Sequence, residues 1–155
     1  MKKKSNGTFR ARLNARGYEQ VDGEHYDGDS ISSRVANEVS IRVVLTLMVM
    51  GSWYAEILDV KGAFLHGEFE DEESIYMKKP EGFEHIYSAG MVLLLLKTIY
   101  GLKQAAKAFW TRLLIAFAQM YFKRNAADPC IYYKWTKHGL VIWVSWIDDL
   151  LNTGK

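Results

Sequence analysis

Apolar residues are concentrated in two long stretches of the chain that favour helices. Residues 37–50 form an apolar run that predicts a helix, which Gly51 and Ser52 end. The run is so continuous that we expect most faces of this helix to be covered by other parts of the protein. Residues 104–122 predict a second helix, from the spacing of five apolar residues. These are Ala108, Phe109, Leu113, Ile115 and Phe117.

Aromatic and β-branched residues mark the predicted strands. Residues 53–60 predict one strand, and residues 131–135 and 140–147 predict a hairpin. A further strand is predicted to start at residues 150–151. Together these elements predict an α+β fold in which helices pack on one face of an antiparallel sheet.

Three shorter segments are predicted from weaker patterns. Residues 9–13 alternate crudely between apolar and polar side chains, which favours a strand. Residues 62–65 predict a tight turn that leads into a short helical piece. The apolar run at residues 92–96 is too short for its periodicity to distinguish a strand from a helix.

Composition indicates one intracellular domain without a membrane span. The chain has 155 residues, 49% of them hydrophobic, and no repeat or linker divides it. Its single cysteine, Cys130, excludes an intrachain disulfide, and we expect it to be a buried apolar residue. The four histidines lack the spacing of zinc ligands. No signal peptide is visible, and the apolar runs are shorter than the roughly 20 residues that cross a bilayer.

Basic residues are concentrated at the start of the chain, although the net charge is only +2. The first 18 residues contain no acidic residue and suit a phosphate backbone or a triphosphate. The basic residues are Lys2, Lys3, Lys4, Arg10, Arg12 and Arg16. For the three lysines we favour an ordinary solvated start, whereas the arginines lie in a segment with predicted structure.

Three aspartates follow apolar strands and are candidate metal ligands. Asp148 and Asp149 are adjacent in a predicted tight turn, and Asp59 ends the strand of residues 53–60. Neighbouring carboxylates repel each other, and Mg²⁺ prefers a few carboxylates together with water and phosphate oxygens. A solvated turn explains the pair as well, and spacing alone favours that explanation.

The aspartates lie in two of five motifs that follow one another along the chain. These are RARLNARG at residues 10–17, LDVKGAFLHG at 58–67, IYMKKPEGF at 75–83, KTIYGLKQA at 97–105 and WIDDLL at 146–151. Together they resemble the motifs of copia-type retrotransposon reverse transcriptases over nearly the whole chain. The resemblance implies an RNA-directed DNA polymerase that transfers a nucleotide from a dNTP to a primer 3′-hydroxyl.

The resemblance also implies a right-hand polymerase fold. Residues 1–50 and 68–105 would be fingers-like, and residues 51–67 and 106–155 would be palm-like. The thumb and the RNase H domain that follow in the family are absent, so we expect this chain alone to be a poor or inactive polymerase.

The family's site residues carry over to matching positions. Asp59, Asp148 and Asp149 would be the catalytic triad, and with Val60 they would hold two Mg²⁺ ions, with Mn²⁺ as an alternative. The backbone N–H groups of Val60 and Lys61 would meet the triphosphate. Phe64 would exclude a ribose 2′-hydroxyl, although it also suits a core aromatic position.

The remaining implied contacts are with the nucleotide and the template–primer duplex. The nucleotide-binding residues would be Arg12, Arg16, Lys61, Phe64 and Gln104, and the template or primer residues would be Lys103 and Trp146. Which arginine contacts the triphosphate is left open. For Lys103 and Gln104 a solvated helix start is nearly as good an explanation.

The implied partners are an RNA or DNA template with its primer, dNTPs, and the rest of a retroelement polyprotein, namely thumb, RNase H and integrase. The implied location is intracellular, either the cytoplasm, including virus-like particles, or the nucleus. The alternative function is that of a non-catalytic retroelement remnant that binds nucleic acid through its basic start.

Overall fold

The computed structural model describes residues 2–3, 5, 7–70 and 74–155, so Lys4 lies outside the described residues. This described part of the chain contains two α-helices, α1 (Glu38–Met50) and α2 (Ala105–Gln119). The strands are β1 (Lys2–Lys3), β2 (Phe9–Arg10), β3 (Tyr54–Asp59), β4 (Tyr76–Met77), β5 (Leu93–Leu94), β6 (Lys123–Arg124), β7 (Ile131–Thr136), β8 (Gly139–Trp146) and β9 (Asp149–Gly154). The predicted α+β class and both predicted helices are confirmed.

The chain divides into two compact units. The first contains residues 1–32 and 64–109, and the second contains residues 33–63 and 110–155. Helix α2 starts in the first unit and ends in the second. The division predicted from the sequence places residues 1–50 in the fingers-like part, whereas in the structure residues 33–50 lie in the second unit, where α1 packs on the sheet. The assignment of the units to fingers and palm stays a prediction.

The second unit is built on a five-stranded antiparallel sheet in the order β3–β9–β8–β7–β6. The predicted hairpin is β7 and β8, with Ile131 opposite Val144 and Thr136 opposite Gly139. Strand β9 pairs with both β8 and β3. Strand β9 therefore lies between β8, which the apolar run 140–147 predicted, and β3, which Asp59 ends.

The two helices pack on opposite faces of this sheet, so the expected one-sided packing is wrong. Ile142 and Val144 of β8 share a core cluster with Val44 of α1. Trp143, which lies between them, packs in a second cluster with residues of α2. Because successive side chains of a strand point to opposite faces, both faces of the central strands are apolar and both are covered.

Helix α1 starts at a tightly bonded junction. The side chain of Asn37 accepts a hydrogen bond from the N–H of Val39 at 2.9 Å, which caps the helix. The buried carboxylate of Asp128 accepts from the N–H of Asn37 at 2.8 Å and from the N–H of Cys130 at 3.0 Å. Asp128 therefore joins the start of α1 to the start of β7.

The expectation that α1 is covered on most faces is wrong. Val44 is 3% exposed, whereas Val43 is 53% and Val49 is 72% exposed. One stripe of the helix packs on the sheet, and the other apolar side chains face outwards. Cys130 is fully buried as predicted, and burial raises the pKa of its thiol.

The first unit has short strands and a small core around Ile75, Leu102 and Ala105. Strand β1 pairs with β2, and β4 pairs with β5. Only β2 forms within the strand predicted over residues 9–13, and β5 shows that the ambiguous run 92–96 is a strand.

Glycines allow two motifs of the first unit to pack backbone against backbone. The N–H of Ala15 donates to the carbonyl of Tyr100 at 2.7 Å. Gly101 has a φ of +91°, and a Cβ there would lie 2.2 Å from the carbonyl oxygen of Ala15. A Cβ on Gly17 would lie 1.9 Å from the carbonyl oxygen of Gly101. Any side chain at either glycine would separate the two motifs.

Among the described residues, no helix is both long enough and apolar enough to cross a membrane.

Candidate functional site

The three aspartates predicted as a triad meet at one end of the second unit's sheet. Asp59 ends β3 and Asp149 starts β9, and the two residues are direct cross-strand partners. The carbonyl of Asp148 accepts a hydrogen bond from the N–H of Val60 at 3.0 Å. Two segments almost 90 residues apart in sequence are thus joined at the positions of their carboxylates.

Asp148 lies in a two-residue loop between β8 and β9 that contains backbone strain. Trp146 and Asp149 are paired, so only Ile147 and Asp148 form the loop. Ile147 has a φ of 57°, a region that β-branched residues rarely adopt. Two-residue hairpin loops favour glycine or asparagine where φ is positive. The surrounding sheet therefore holds Ile147 in a conformation that its own side chain disfavours.

Like charges face each other at this site. Directly opposite residues of an antiparallel pair have Cβ atoms about 5 Å apart, and like charges there are destabilising. Asp59 and Asp149 are exposed, whereas Asp148 is half-buried. In the described part of the chain, no three His, Cys, Asp or Glu side chains are arranged as a metal-binding cluster. The donors nevertheless fit a hard divalent cation, because carboxylate oxygens are the ligands that Mg²⁺ prefers.

The backbone of Val60 is bonded within the second unit. Its N–H donates to the carbonyl of Asp148 just beyond the ends of β3 and β9, and the expected contact of this N–H with a triphosphate stays a prediction. The carbonyl of Val60 accepts from the N–H of Ala63 at 3.0 Å. Lys61 is exposed, and Trp146 is 45% exposed beside Asp149 in the sheet.

The first unit contains an open cavity of about 860 Å³. Four of its lining residues are cationic, namely Arg12, Arg16, Lys78 and Lys79, and His25 also lines it. Three carboxylates line it as well, from Glu19, Glu81 and Glu84. The volume lies within the range of small-molecule sites, and the lining carries both signs of charge.

The two candidate arginines differ in what they contact. Arg16 forms a salt bridge with Glu19 at 3.1 Å, and this hydrogen bond raises the pKa of the Arg16 guanidinium. The guanidinium of Arg12 instead lies 5.1 Å from the ring centroid of Tyr100, within the range of a cation–π contact. The structure therefore distinguishes the two side chains, which the sequence did not.

Gln104 is buried and bonded inside the first unit. It is 7% exposed, its side-chain NH₂ donates to the carbonyl of His25 at 3.1 Å, and its side-chain oxygen accepts from Gln20 at 3.0 Å. The side-chain oxygen of Gln20 also accepts from the backbone N–H of Lys103 at 2.8 Å. A nucleotide that bound to Gln104 would have to displace these contacts, and the expected role of Gln104 as a nucleotide ligand stays a prediction.

Phe64 is half-buried in an aromatic group of the first unit. Its ring centroid lies 5.1 Å from that of Tyr100 and 6.3 Å from that of Phe109. The hydroxyl of Thr98 donates to the carbonyl of Phe64. The sequence analysis did not single out Thr98, and it did not show that Tyr100 contacts both Phe64 and Arg12. Thr98 and Tyr100 both lie in the motif at residues 97–105, which could have drawn attention to them.

The whole chain, residues 1–155, matches the family model described as reverse transcriptase (RNA-dependent DNA polymerase). It is 39% identical over 148 residues to the retrovirus-related Pol polyprotein from transposon TNT 1-94 of Nicotiana tabacum. It is 36% identical over 147 residues to the Pol polyprotein from transposon RE2 of Arabidopsis thaliana. The Ty1-LR2 Gag-Pol polyprotein of Saccharomyces cerevisiae is 30% identical over 157 aligned residues. No solved structure matches the chain.

These matches cover most of this chain and a small part of each relative. They include 95% of this chain but 11% of the tobacco polyprotein and 10% of the RE2 polyprotein. For the yeast polyprotein the shares are 99% and 8%. The family match over the full length and the identity to plant transposon polyproteins agree. The chain belongs to the reverse transcriptase family, as a domain of the copia type.

Proposed function

We propose that the chain serves as the RNA-directed DNA polymerase domain of a copia-type retrotransposon polyprotein. The proposed reaction transfers a nucleotide from a dNTP to a primer 3′-hydroxyl on an RNA or DNA template. One observation carries this proposal. Asp59 and Asp149 are cross-strand partners, beside the hydrogen bond that joins Val60 to Asp148. All four residues lie in the two motifs that resemble those carrying the family's carboxylates.

The proposed metal site consists of Asp59, Val60, Asp148 and Asp149, with two Mg²⁺ or Mn²⁺ ions. Bound there, the ions would lower the pKa of the attacking hydroxyl and neutralise charge on the transferred phosphate. The carboxylates of Asp59 and Asp149 start from mutual repulsion at the sheet end, which a cation would relieve. Asp148 is the half-buried member, and its loop is held by the Val60 hydrogen bond.

In the first unit, we assign the triphosphate contact to Arg12 rather than Arg16. Arg12 lies over Tyr100, while Arg16 is bonded to Glu19. A guanidinium stacked on a ring keeps its N–H edge directed outwards, where it binds phosphate oxygens in a forked geometry. We assign Phe64 to the side of the sugar, because its ring is fixed by two aromatic neighbours. Lys61, Lys103 and Trp146 stay proposed contacts of the nucleotide, template or primer.

The proposed partners follow from the relatives, which are Pol polyproteins. A thumb, an RNase H domain and an integrase would be supplied by the same polyprotein, in virus-like particles or in the nucleus. The chain spans 11% of the tobacco polyprotein and 10% of the RE2 polyprotein. We propose that, without the other parts of such a polyprotein, the isolated chain extends primers poorly.

The first test measures Mn²⁺ binding to the chain by electron paramagnetic resonance. We expect the wild type to bind Mn²⁺ and Asp148→Asn to lose about tenfold or more in affinity, because removing a ligand charge weakens a carboxylate site. Asp29→Asn, in an exposed 3₁₀ turn of the first unit, is the matched control and should bind like the wild type. Equal Mn²⁺ affinity in wild type and Asp148→Asn would contradict the metal site.

Primer extension by the chain within its polyprotein then separates the two functions. A polymerase loses extension in Asp148→Asn and keeps it in Asp29→Asn. A non-catalytic remnant that only binds nucleic acid shows no extension in any of the three proteins.

A further inference from the structure

One residue holds both ends of the turn that carries Phe64. The turn is a single 3₁₀ element, Ala63–His66, and Gly67 follows it. The hydroxyl of Thr98 donates to the carbonyl of Phe64 at 2.5 Å. The backbone N–H of Thr98 donates to the carbonyl of Gly67 at 3.1 Å. Thr98 itself is 0% exposed.

The packing between Thr98 and the end of this turn is tight. A Cβ on Gly67 would lie 2.4 Å from the hydroxyl oxygen of Thr98 and 2.9 Å from the Cβ of Ala108. Both distances are too short for atoms that are not bonded to each other. The backbone of the turn thus rests directly on Thr98, and a shift of Thr98 would be transmitted to the turn.

The ring of Phe64 is oriented from the same segment of chain. Tyr100, two residues after Thr98, contacts the Phe64 ring at a 59° tilt, and Phe109 contacts it nearly edge-on at 72°. Such tilted and edge-on arrangements are the favoured ones for aromatic pairs. Arg12 lies over the same Tyr100 ring. Thr98 thus anchors the backbone of Phe64, while Tyr100 contacts both the Phe64 ring and the proposed triphosphate ligand.

We infer that Thr98 is a positioning residue that fixes Phe64 and thereby sets how strongly the chain prefers a deoxyribonucleotide to a ribonucleotide. This inference rests on the proposed role of Phe64 against the sugar 2′-hydroxyl. Because Thr98 is fully buried, it acts through Phe64 and does not touch the nucleotide. A steric filter depends on the placement of its ring, since a small displacement opens room for one oxygen atom.

Two substitutions separate the hydroxyl of Thr98 from its volume. Thr98→Val keeps the shape of the side chain and removes the donor to Phe64, which leaves that carbonyl without this hydrogen bond. Thr98→Ser keeps the donor and loses a methyl group. Both retain the backbone hydrogen bond to Gly67, so the comparison isolates the Phe64 end of the turn.

The second unit offers a matched control. Thr153 is 1% exposed, and its hydroxyl donates to the carbonyl of Tyr54 at 2.8 Å. Thr153→Val therefore removes a buried hydrogen bond of the same kind elsewhere in the chain. We expect Thr153→Val and Thr98→Val to lower the melting temperature, and only Thr98→Val to change the choice of sugar.

The experiment measures the affinity of the chain for dTTP and for 5-methyluridine triphosphate in the presence of Mg²⁺, by titration calorimetry, because these two nucleotides differ only in the sugar 2′-hydroxyl. We expect the wild type, Thr98→Ser and Thr153→Val to favour dTTP by about tenfold or more, and Thr98→Val to lose most of that preference while binding dTTP nearly as well. In parallel, the NMR signals of the Phe64 ring should shift in Thr98→Val and stay near the wild-type positions in Thr98→Ser.

Each outcome decides a different statement. A full dTTP preference in Thr98→Val would overturn the role of Thr98 and leave the proposed polymerase function standing. Equal loss of preference in Thr98→Ser and Thr98→Val would also overturn it, because the hydroxyl would then be irrelevant. Equal affinity of the wild type for dTTP and 5-methyluridine triphosphate, or no binding of either, would overturn the assignment of Phe64 and the inference with it.

Discussion

Tyr132 is buried together with its hydroxyl group. It is 1% exposed, and its ring stacks on Phe117 with centroids 4.2 Å apart. Within the described residues its hydroxyl has no hydrogen-bond partner. Burial, which disfavours the charged form, raises the pKa of the hydroxyl to about 12. The ring therefore contributes apolar packing, while the oxygen is a local cost.

We predict that Tyr132→Phe keeps or raises stability at neutral pH, by up to about 1 kcal/mol, because it removes an unsatisfied buried group. An unfolded tyrosine ionises near pH 10, whereas the folded one ionises near pH 12. Between these values the unfolded chain releases a proton that the folded chain keeps, so wild-type stability falls as the pH rises. Urea denaturation should show that Tyr132→Phe lacks this part of the fall. A variant clearly less stable than the wild type at pH 7 would show that the hydroxyl does have a partner.

At the residue scale, the sequence predicted three carboxylates as a triad but not how they are arranged. Asp59 and Asp149 lie at strand ends as expected from their apolar neighbours. Their direct opposition depends on the register of two strands far apart in sequence, which local pattern does not encode. The burial of Gln104 was missed for the same reason, since its contacts come from Gln20 and His25. The Arg16–Glu19 pair, three residues apart, depends on the short 3₁₀ turn at Gly17–Glu19, which the sequence analysis did not predict.

Helix α1 shows how an element predicted correctly was given the wrong environment. Its apolar run suggested a helix surrounded by protein, yet Val44 is the only residue of the helix that is buried. Adjacent valines therefore experience opposite environments, Val43 at 53% and Val44 at 3% exposure. Periodicity indicates where a helix forms, but a helix that is apolar all round does not show which stripe packs on the sheet.

The two valines provide a matched pair of substitutions. We predict that Val44→Ala lowers the free energy of unfolding by about 2 kcal/mol, because it leaves a cavity against Ile142 and Val144. Val43→Ala should change it by less than about 0.5 kcal/mol, because little buried surface is lost and alanine favours helix. Chemical denaturation of both variants measures the difference. A larger loss in Val43→Ala would mean that the outward face of α1 is covered in solution.

Among the secondary-structure elements, the strands of the sheet were predicted best from the sequence. Residues 131–135 and 140–147 became β7 and β8 almost unchanged, because alternating aromatic and β-branched residues suit a strand with two packed faces. The location of the helices was not predicted. Alternation shows that both faces are apolar, but only the fold shows that each face receives a different helix.

At the scale of the whole molecule, the two units differ in how their backbones are bonded. The second unit has a continuous ladder of backbone hydrogen bonds, and its strands β7, β8 and β9 each contain six or more residues. In the first unit, the pairs β1–β2 and β4–β5 have two residues a strand. Local opening is easiest where few backbone hydrogen bonds and few buried contacts must be broken.

We therefore predict a graded pattern of amide hydrogen exchange. Amides of β8 and β9 should exchange most slowly, and those of β2 and β4 should exchange about a hundredfold faster or more, because short ladders open locally. Exchange followed by NMR or mass spectrometry at neutral pH checks this order. Uniform protection across both units would show that the chain opens only as a whole.

The two-residue loop at Ile147 and Asp148 has a consequence for changes in chain length. Strand side chains alternate with a period of two, so one residue inserted between Trp146 and Asp149 would turn β9 over with respect to β8. Leu150, which packs with α2, and Leu151, which packs on the side of α1, would exchange partners. The same insertion would move Asp149 away from Asp59. At this hairpin the spacing of residues is itself under constraint, so substitutions should be tolerated here more readily than any insertion or deletion.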